Sequence, residues 1–136
     1  MLELTDPARI TAAVVLLTVV GIESGGVFLL RVLRSDQGFT PFQRAFFRAG
    51  HAHAGVLVTL GLVCLLLSHA TRLEGFAAWL ASSGVLVAAA LMSGGFFAAA
   101  AGSGRTTPGR GIALLWLGAG FLAAGVLTLA VGLLTA

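Results

Sequence analysis

The chain contains four long apolar stretches, separated by short links that carry many of its glycine, proline and charged residues. The stretches cover about residues 10–33, 46–68, 76–101 and 112–134. Each is longer than the roughly 18 residues that a helix needs to cross the hydrocarbon of a bilayer. Short links place consecutive helices antiparallel and next to each other. We therefore predict an all-α integral membrane four-helix bundle, with residues 1–136 forming a single transmembrane domain.

The overall composition excludes a water-soluble domain. Apolar residues make up 58% of the chain and charged residues only 10%, and the mean hydropathy is +1.04, whereas soluble domains have about 25% charged residues. The basic residues are all arginines that flank apolar stretches, so we expect contact with a lipid bilayer and no nucleic-acid partner. The absence of lysine and asparagine is typical of a GC-rich bacterial genome. We expect a multi-pass protein of the bacterial inner (plasma) membrane.

The arginines are distributed unequally between the two ends of the predicted bundle. One end, formed by the first and third links and their flanks, holds six arginines: Arg31, Arg34, Arg44, Arg48, Arg105 and Arg110. The other end holds only Arg9 and Arg72. This excess predicts that these two links are cytoplasmic and that both termini are outside. Arginines that bind an anionic ligand would give the same pattern, so a ligand-binding interpretation of these residues stays open.

Three ionisable residues fall inside the apolar stretches, where such groups are a functional hypothesis by default. At about 1.5 Å of rise per residue, Glu23 lies within a few ångströms of the predicted bilayer midplane. His53 then lies roughly 6 Å and His51 roughly 9 Å from the midplane, towards the arginine-rich end. Met92 of the third helix is expected near the depth of His53. We therefore predict a polar layer that crosses the bundle at one depth.

The segment Gly50-His51-Ala52-His53-Ala54-Gly55 is the most specific local feature. Histidines two residues apart on a helix point about 200° away from each other, so they cannot both ligate one ion. A zinc site would instead favour two histidines four residues apart on one face. Opposed histidines suit two different partners, and a haem iron is one such partner because a neutral imidazole ligates it axially.

Other interpretations of the same residues remain open. Glu23 and His53 could form a proton or ion relay, or the histidines could make hydrogen bonds that steady helix packing. Eight glycines fall in the same half of the membrane, which indicates either a narrow waist or room for a flat ligand. They are Gly25, Gly26, Gly50, Gly55, Gly94, Gly95, Gly118 and Gly120.

The chain resembles one four-helix arc of subunit I of the haem–copper oxidases. That subunit has three such arcs, and its haem and copper histidines lie near the start of the second helix of each arc. His51-Ala52-His53 lies near the start of the second of four helices here. The copper-ligating histidines of that family have no counterpart beyond these two. The resemblance implies that three copies of this chain would rebuild the subunit I layout.

A homo-oligomer would also supply the second axial ligand that one chain lacks. His51 of one copy could face His53 of its neighbour across a haem, with a trimer as the count that the resemblance favours. Met92 is a further candidate axial ligand. Arg44 and Arg48 would then lie close to the haem propionates.

The leading hypothesis is therefore a haem b-binding membrane protein similar to a cytochrome, with a role in electron transfer or in gas or redox sensing. Whether it catalyses a reaction is left open. One alternative is a proton, ion or small-molecule transporter with a Glu23–His53 relay. Another is an accessory subunit that packs against a larger membrane complex.

Overall fold

The computed structural model describes residues 4–34 and 38–136, and this part of the chain forms four α-helices. Each helix is long and apolar enough to cross a membrane, which confirms the prediction of four spans in an all-α protein. The helices are α1 (Asp6–Arg34), α2 (Pro41–Ser68), α3 (Gly75–Ala100) and α4 (Ile112–Leu134). Residues 35–37 of the first predicted link lie outside the described ranges.

The first two helices begin before their apolar stretches because local capping residues extend them. At the start of α1, the Thr5 hydroxyl accepts a hydrogen bond from the N–H of Ala8. At the start of α2, Thr40 and Gln43 form a capping box and Pro41 occupies the first turn. The apolar stretches therefore mark the part of each helix that lies in hydrocarbon, whereas capping residues determine where the helix begins.

The helices form a row in which each packs on the next. Helix α3 lies between α2 and α4, and α2 touches α4 over a small area only. Among the described residues, α1 makes helix–helix contacts with α2 alone. Burial follows this order: α3 supplies the residues with no exposed surface, namely Ala81, Val85, Ala88, Ala99 and Ala100. Most of the apolar surface of α1 is left to face lipid.

Glycines hold α3 and α4 at close range. A methyl group built on Gly95 of α3 would lie 2.6 Å from the backbone nitrogen of Leu115 on α4. One built on Gly118 of α4 would lie 2.9 Å from the backbone nitrogen of Met92. Small residues give this close approach in lipid, where van der Waals contact replaces the hydrophobic effect as the force between helices.

The eight glycines in one half of the membrane turn out to serve different purposes. Gly50, Gly95 and Gly118 pack tightly against neighbouring helices, as a narrow waist requires. In contrast, a methyl group on Gly55, Gly94 or Gly120 would meet no heavy atom within 4 Å. The tight approach is therefore confined to the α2–α3 and α3–α4 contacts, whereas Gly25 and Gly26 lie against His51 of α2 and the remaining three glycines lie in open space.

Gln43 joins the start of α2 to the end of α3 at the arginine-rich end. Its side chain is 2% exposed, and its Nε2 donates to the carbonyl oxygens of Ala100 at 3.0 Å and Gly102 at 2.7 Å. Its Oε1 accepts from the N–H of Thr40 at 3.2 Å. The Thr40 hydroxyl in turn donates to the carbonyl of Arg105. These bonds satisfy the carbonyl of Ala100 at the end of α3 and two carbonyls of the link that follows it.

The neighbours Gly94 and Gly95 offer a matched test of the close contact. Gly95→Ala is expected to lower the free energy of unfolding by about 1–3 kcal/mol, because the methyl group would force α3 and α4 apart. Gly94→Ala is expected to leave stability unchanged, since the space around it is open. Thermal unfolding of the detergent-purified proteins, followed by circular dichroism, measures both. Equal stability of the two variants would contradict the α3–α4 contact.

Candidate functional site

His51 and His53 lie on opposite sides of α2, as the helical repeat predicts. His51 lies against Gly25 and Gly26 of α1, whereas the ring of His53 lies 4.8 Å from that of Phe96 on α3. Both histidines are half-buried. One helical turn therefore presents two imidazoles to two different surroundings at similar depths.

The orientation of His53 is fixed by its own helix. Its Nδ1 lies 2.8 Å from the carbonyl oxygen of Ala49, one turn earlier. Because a carbonyl oxygen can only accept, Nδ1 carries the proton in this contact. The lone pair of the neutral ring is then on Nε2. This is the arrangement by which histidine ligands are commonly oriented, with one nitrogen bonded to the protein and the other left for a metal.

His51 lies flat on a surface without side chains. A methyl group on Gly25 would lie 3.4 Å from its Nδ1, and one on Gly26 would lie 3.5 Å from its Nε2. Neither ring nitrogen has a hydrogen-bond partner within residues 4–34 and 38–136. The glycine pair thus allows α1 to approach α2 at this point and leaves both nitrogens without a protein partner in the described chain.

The contact between His51 and the glycine pair also sets the depth of Glu23. Because α1 and α2 are antiparallel, Glu23, two residues before Gly25, lies at the same depth as His53, two residues after His51. The side chain of Glu23 is exposed on α1, and no ion pair or hydrogen bond joins it to another described residue. The structure does not bring Glu23 and His53 together within one chain.

The two arginines that precede the histidines differ in their surroundings. Arg44, Arg48 and His51 lie along one side of α2 at spacings of four and three residues. Arg44 is half-buried, and its Nε is buried without a hydrogen-bond partner in the described part of the chain. Arg48 is exposed. The Nε of Arg44 thus lacks the hydrogen-bond partner that a buried donor normally has.

A shallow concave surface lies beside the histidines on α2. It has a volume of about 430 Å³ and is lined by Ala45, Arg48, Ala49 and Ala52. Ala52 separates the two histidines, and the carbonyl of Ala49 holds His53. Three small side chains and Arg48 therefore form a recess on the face of α2 between the two histidines, neither of which lines it.

Met92 is placed in the core. It is 8% exposed and packs with Leu57 and Ala89, and its side chain lies directly over Gly118. Leu57 is one helical turn deeper than His53. These contacts are those of a side chain that fills space between α2, α3 and α4, the common use of methionine in a core.

Ser93 is a polar residue of this layer that sequence reasoning missed. It is 9% exposed, and its Oγ is buried without a hydrogen-bond partner among the described residues. A serine within an apolar stretch is often bonded to its own helix backbone, so its sequence position alone gave little signal. Ser93 lies three residues before Phe96, which contacts His53.

The described residues hold no group of three or more His, Cys, Asp and Glu side chains that could bind a metal ion. Each side of α2 instead offers a single imidazole. One imidazole is sufficient for a metal whose other ligands come with it, as in a haem. The arrangement can therefore supply an axial ligand on each side of α2.

The contact with α1 can be tested by the reactivity of His51. Gly26→Leu is expected to displace the imidazole, because the added side chain would occupy the space beside Nε2. Modification by diethyl pyrocarbonate, read by peptide mass spectrometry, should rise several-fold at His51 and stay constant at His53. Gly21→Leu is the control, since a methyl group there meets nothing within 4 Å. An unchanged His51, or an equal rise at both histidines, would contradict this placement.

Comparison of the chain with protein-family models, with curated proteins and with solved structures gives no match. The candidate site is therefore described by its geometry alone. It consists of two opposed imidazoles on the second of four helices that are long and apolar enough to cross a membrane.

Proposed function

We propose that this protein binds haem b through His51 and His53 and acts in electron transfer or in gas or redox sensing. The observation that carries the proposal is the pair of half-buried imidazoles on opposite sides of one turn of a membrane-spanning helix. A bound haem would supply one-electron transfer or the binding of a diatomic gas.

The surroundings of the histidines support a flat, anionic ligand. His53 has one nitrogen bonded to the carbonyl of Ala49, which leaves Nε2 as the ligating atom. The recess formed by Ala45, Ala49 and Ala52 lacks bulky side chains that would exclude a macrocycle. Arg48 lines the same recess, and its guanidinium suits a carboxylate such as a haem propionate. Arg44, four residues before Arg48 on the same side of α2, adds a second guanidinium group.

The proposal requires more than one copy of the chain if the iron is to have two histidine ligands. Each side of α2 presents one imidazole, and Met92 is occupied by packing contacts in the core. In a closed ring, His51 of one copy and His53 of the neighbouring copy would ligate the same iron, and no imidazole would be left over. Three copies is the number suggested by the resemblance to haem–copper oxidase subunit I.

A second candidate function rests on Glu23. Its carboxyl group is exposed on α1 at the depth of His53, and an ionisable group at such a depth is often part of a proton or ion pathway. Because α1 and His53 are on different sides of α2, a relay would have to join Glu23 of one copy to His53 of another. A colourless purified protein would favour this function, and Glu23→Gln should then stop proton flux into proteoliposomes.

Absorption spectra of histidine variants test the haem proposal. The wild type purified in detergent is expected to show a Soret band and reduced α and β bands. His51→Ala and His53→Ala are each expected to lose most of the bound haem, because each removes an axial ligand. Circular dichroism should show that the helices are retained.

His69→Ala is the matched control for these variants. The Nδ1 of His69 lies 3.0 Å from the carbonyl oxygen of Leu65, so it has the same helix contact as His53 at the other end of α2. Its removal is expected to leave the spectrum unchanged. Normal haem content in both His51→Ala and His53→Ala, or a wild type without haem, would overturn the proposal.

The arrangement of copies can be tested by mass and stoichiometry. Light scattering in detergent, combined with haem and protein assays, is expected to give an oligomer with one haem per chain. A ring of any size gives this ratio, because every chain contributes one His51 and one His53. A monomer with a bis-histidine spectrum, or one haem per dimer, would contradict the shared site. One haem per dimer would indicate a twofold axis, which places the same histidine of both copies on one iron.

A further inference from the structure

A separate cavity lies on the outer side of α1 at the arginine-rich end. Its volume is about 650 Å³, and neither histidine of α2 lines it. The residues that form it are Val27, Phe28, Leu30, Arg31, Val32, Arg34 and Phe39, and of these Val32 is buried. All but Phe39 lie on α1, so the cavity is a groove along the lipid-facing surface of this helix.

The groove has an apolar part that is exposed where lipid is expected. Val27 and Leu30 are each 51% exposed and Phe28 is 43% exposed. Phe28 packs edge-to-face on Phe47 of α2 at 5.9 Å, and Phe39 packs on the same ring at 5.8 Å. The aromatic wall is therefore held in place by the core, and the groove does not depend on its occupant for its shape.

The charged part of the groove lies where the helix reaches the membrane surface. Arg31 and Arg34 are three residues apart, so their side chains are neighbours on one face of α1. Both are exposed, and neither has a carboxylate partner among the described residues. The carboxylates that the structure describes, those of Asp6, Glu23 and Glu74, lie at the opposite end or at mid-depth. Two neighbouring guanidinium groups without a carboxylate partner in residues 4–34 and 38–136 suit a phosphate diester, which they can bind through several oxygens.

We propose that this groove binds an acidic phospholipid of the surrounding bilayer. The phosphate group lies between Arg31 and Arg34, and an acyl chain runs along Val27, Phe28 and Leu30 towards the membrane interior. Basic pockets at the membrane surface with an adjoining apolar surface commonly recognise anionic headgroups. The proposal is independent of haem binding, because it uses neither the histidines nor Arg44 and Arg48.

Native mass spectrometry of the detergent-purified protein tests this directly. Dioleoylphosphatidylglycerol is expected to remain bound at concentrations where dioleoylphosphatidylcholine, which has the same acyl chains, does not. Arg31→Gln and Arg34→Gln should each weaken retention about five-fold, the effect of one basic residue near an anionic surface. Arg110→Gln is the matched control: it removes the same charge from the same end, and Arg110 does not line the groove.

Each result decides between the bound lipid and its alternatives. Equal retention of the two lipids would overturn the role of the arginines. A loss in Arg110→Gln as large as in Arg31→Gln would indicate attraction to the charged end as a whole and would overturn a defined site. Glycerol 3-phosphate is the probe for a free phosphate, and it is expected not to compete. Competition at the concentration that displaces phosphatidylglycerol would show that the apolar groove has no part in binding.

Discussion

The close contact of α3 with its two neighbours is the interaction on which the rest of the structure depends. In hydrocarbon, apolar side chains gain little by leaving lipid, so helices associate through van der Waals contact over surfaces that can approach closely. Gly95 and Gly118 give α3 and α4 such a surface, and Gly50 allows α2 to meet the ring of Phe97 and the Cβ of Phe96. The three helices form the core, and α1 attaches to one side of it.

The open row leaves polar groups on faces that a closed bundle would cover. Helix α1 contacts α2 at Gly25 and Gly26, where His51 lies, and within residues 4–34 and 38–136 no other helix packs on it. Glu23 is exposed on α1, level with His53. An exposed carboxyl group at this depth is unfavourable in lipid.

The arginines at one end do not form a single charged surface. Arg31 and Arg34 point away from the core and line a groove on α1, whereas Arg48 lines a recess on α2 and Arg44 is partly buried. Positive residues at a cytoplasmic flank and arginines that bind an anion give the same pattern in a sequence. Their positions in the fold assign them to two different surfaces, so topology, lipid binding and ligand binding can involve different arginines.

The sequence by itself determined the four spans and the opposition of His51 and His53. The length of an apolar stretch and the helical repeat are local properties, and both follow from residue order alone. It did not determine which helix each histidine meets, which glycines form the tight waist, or that Gln43 closes the end of α3. Those features depend on contacts between residues far apart in the chain. Only the tertiary structure decides them, because packing selects the neighbour and register of each helix.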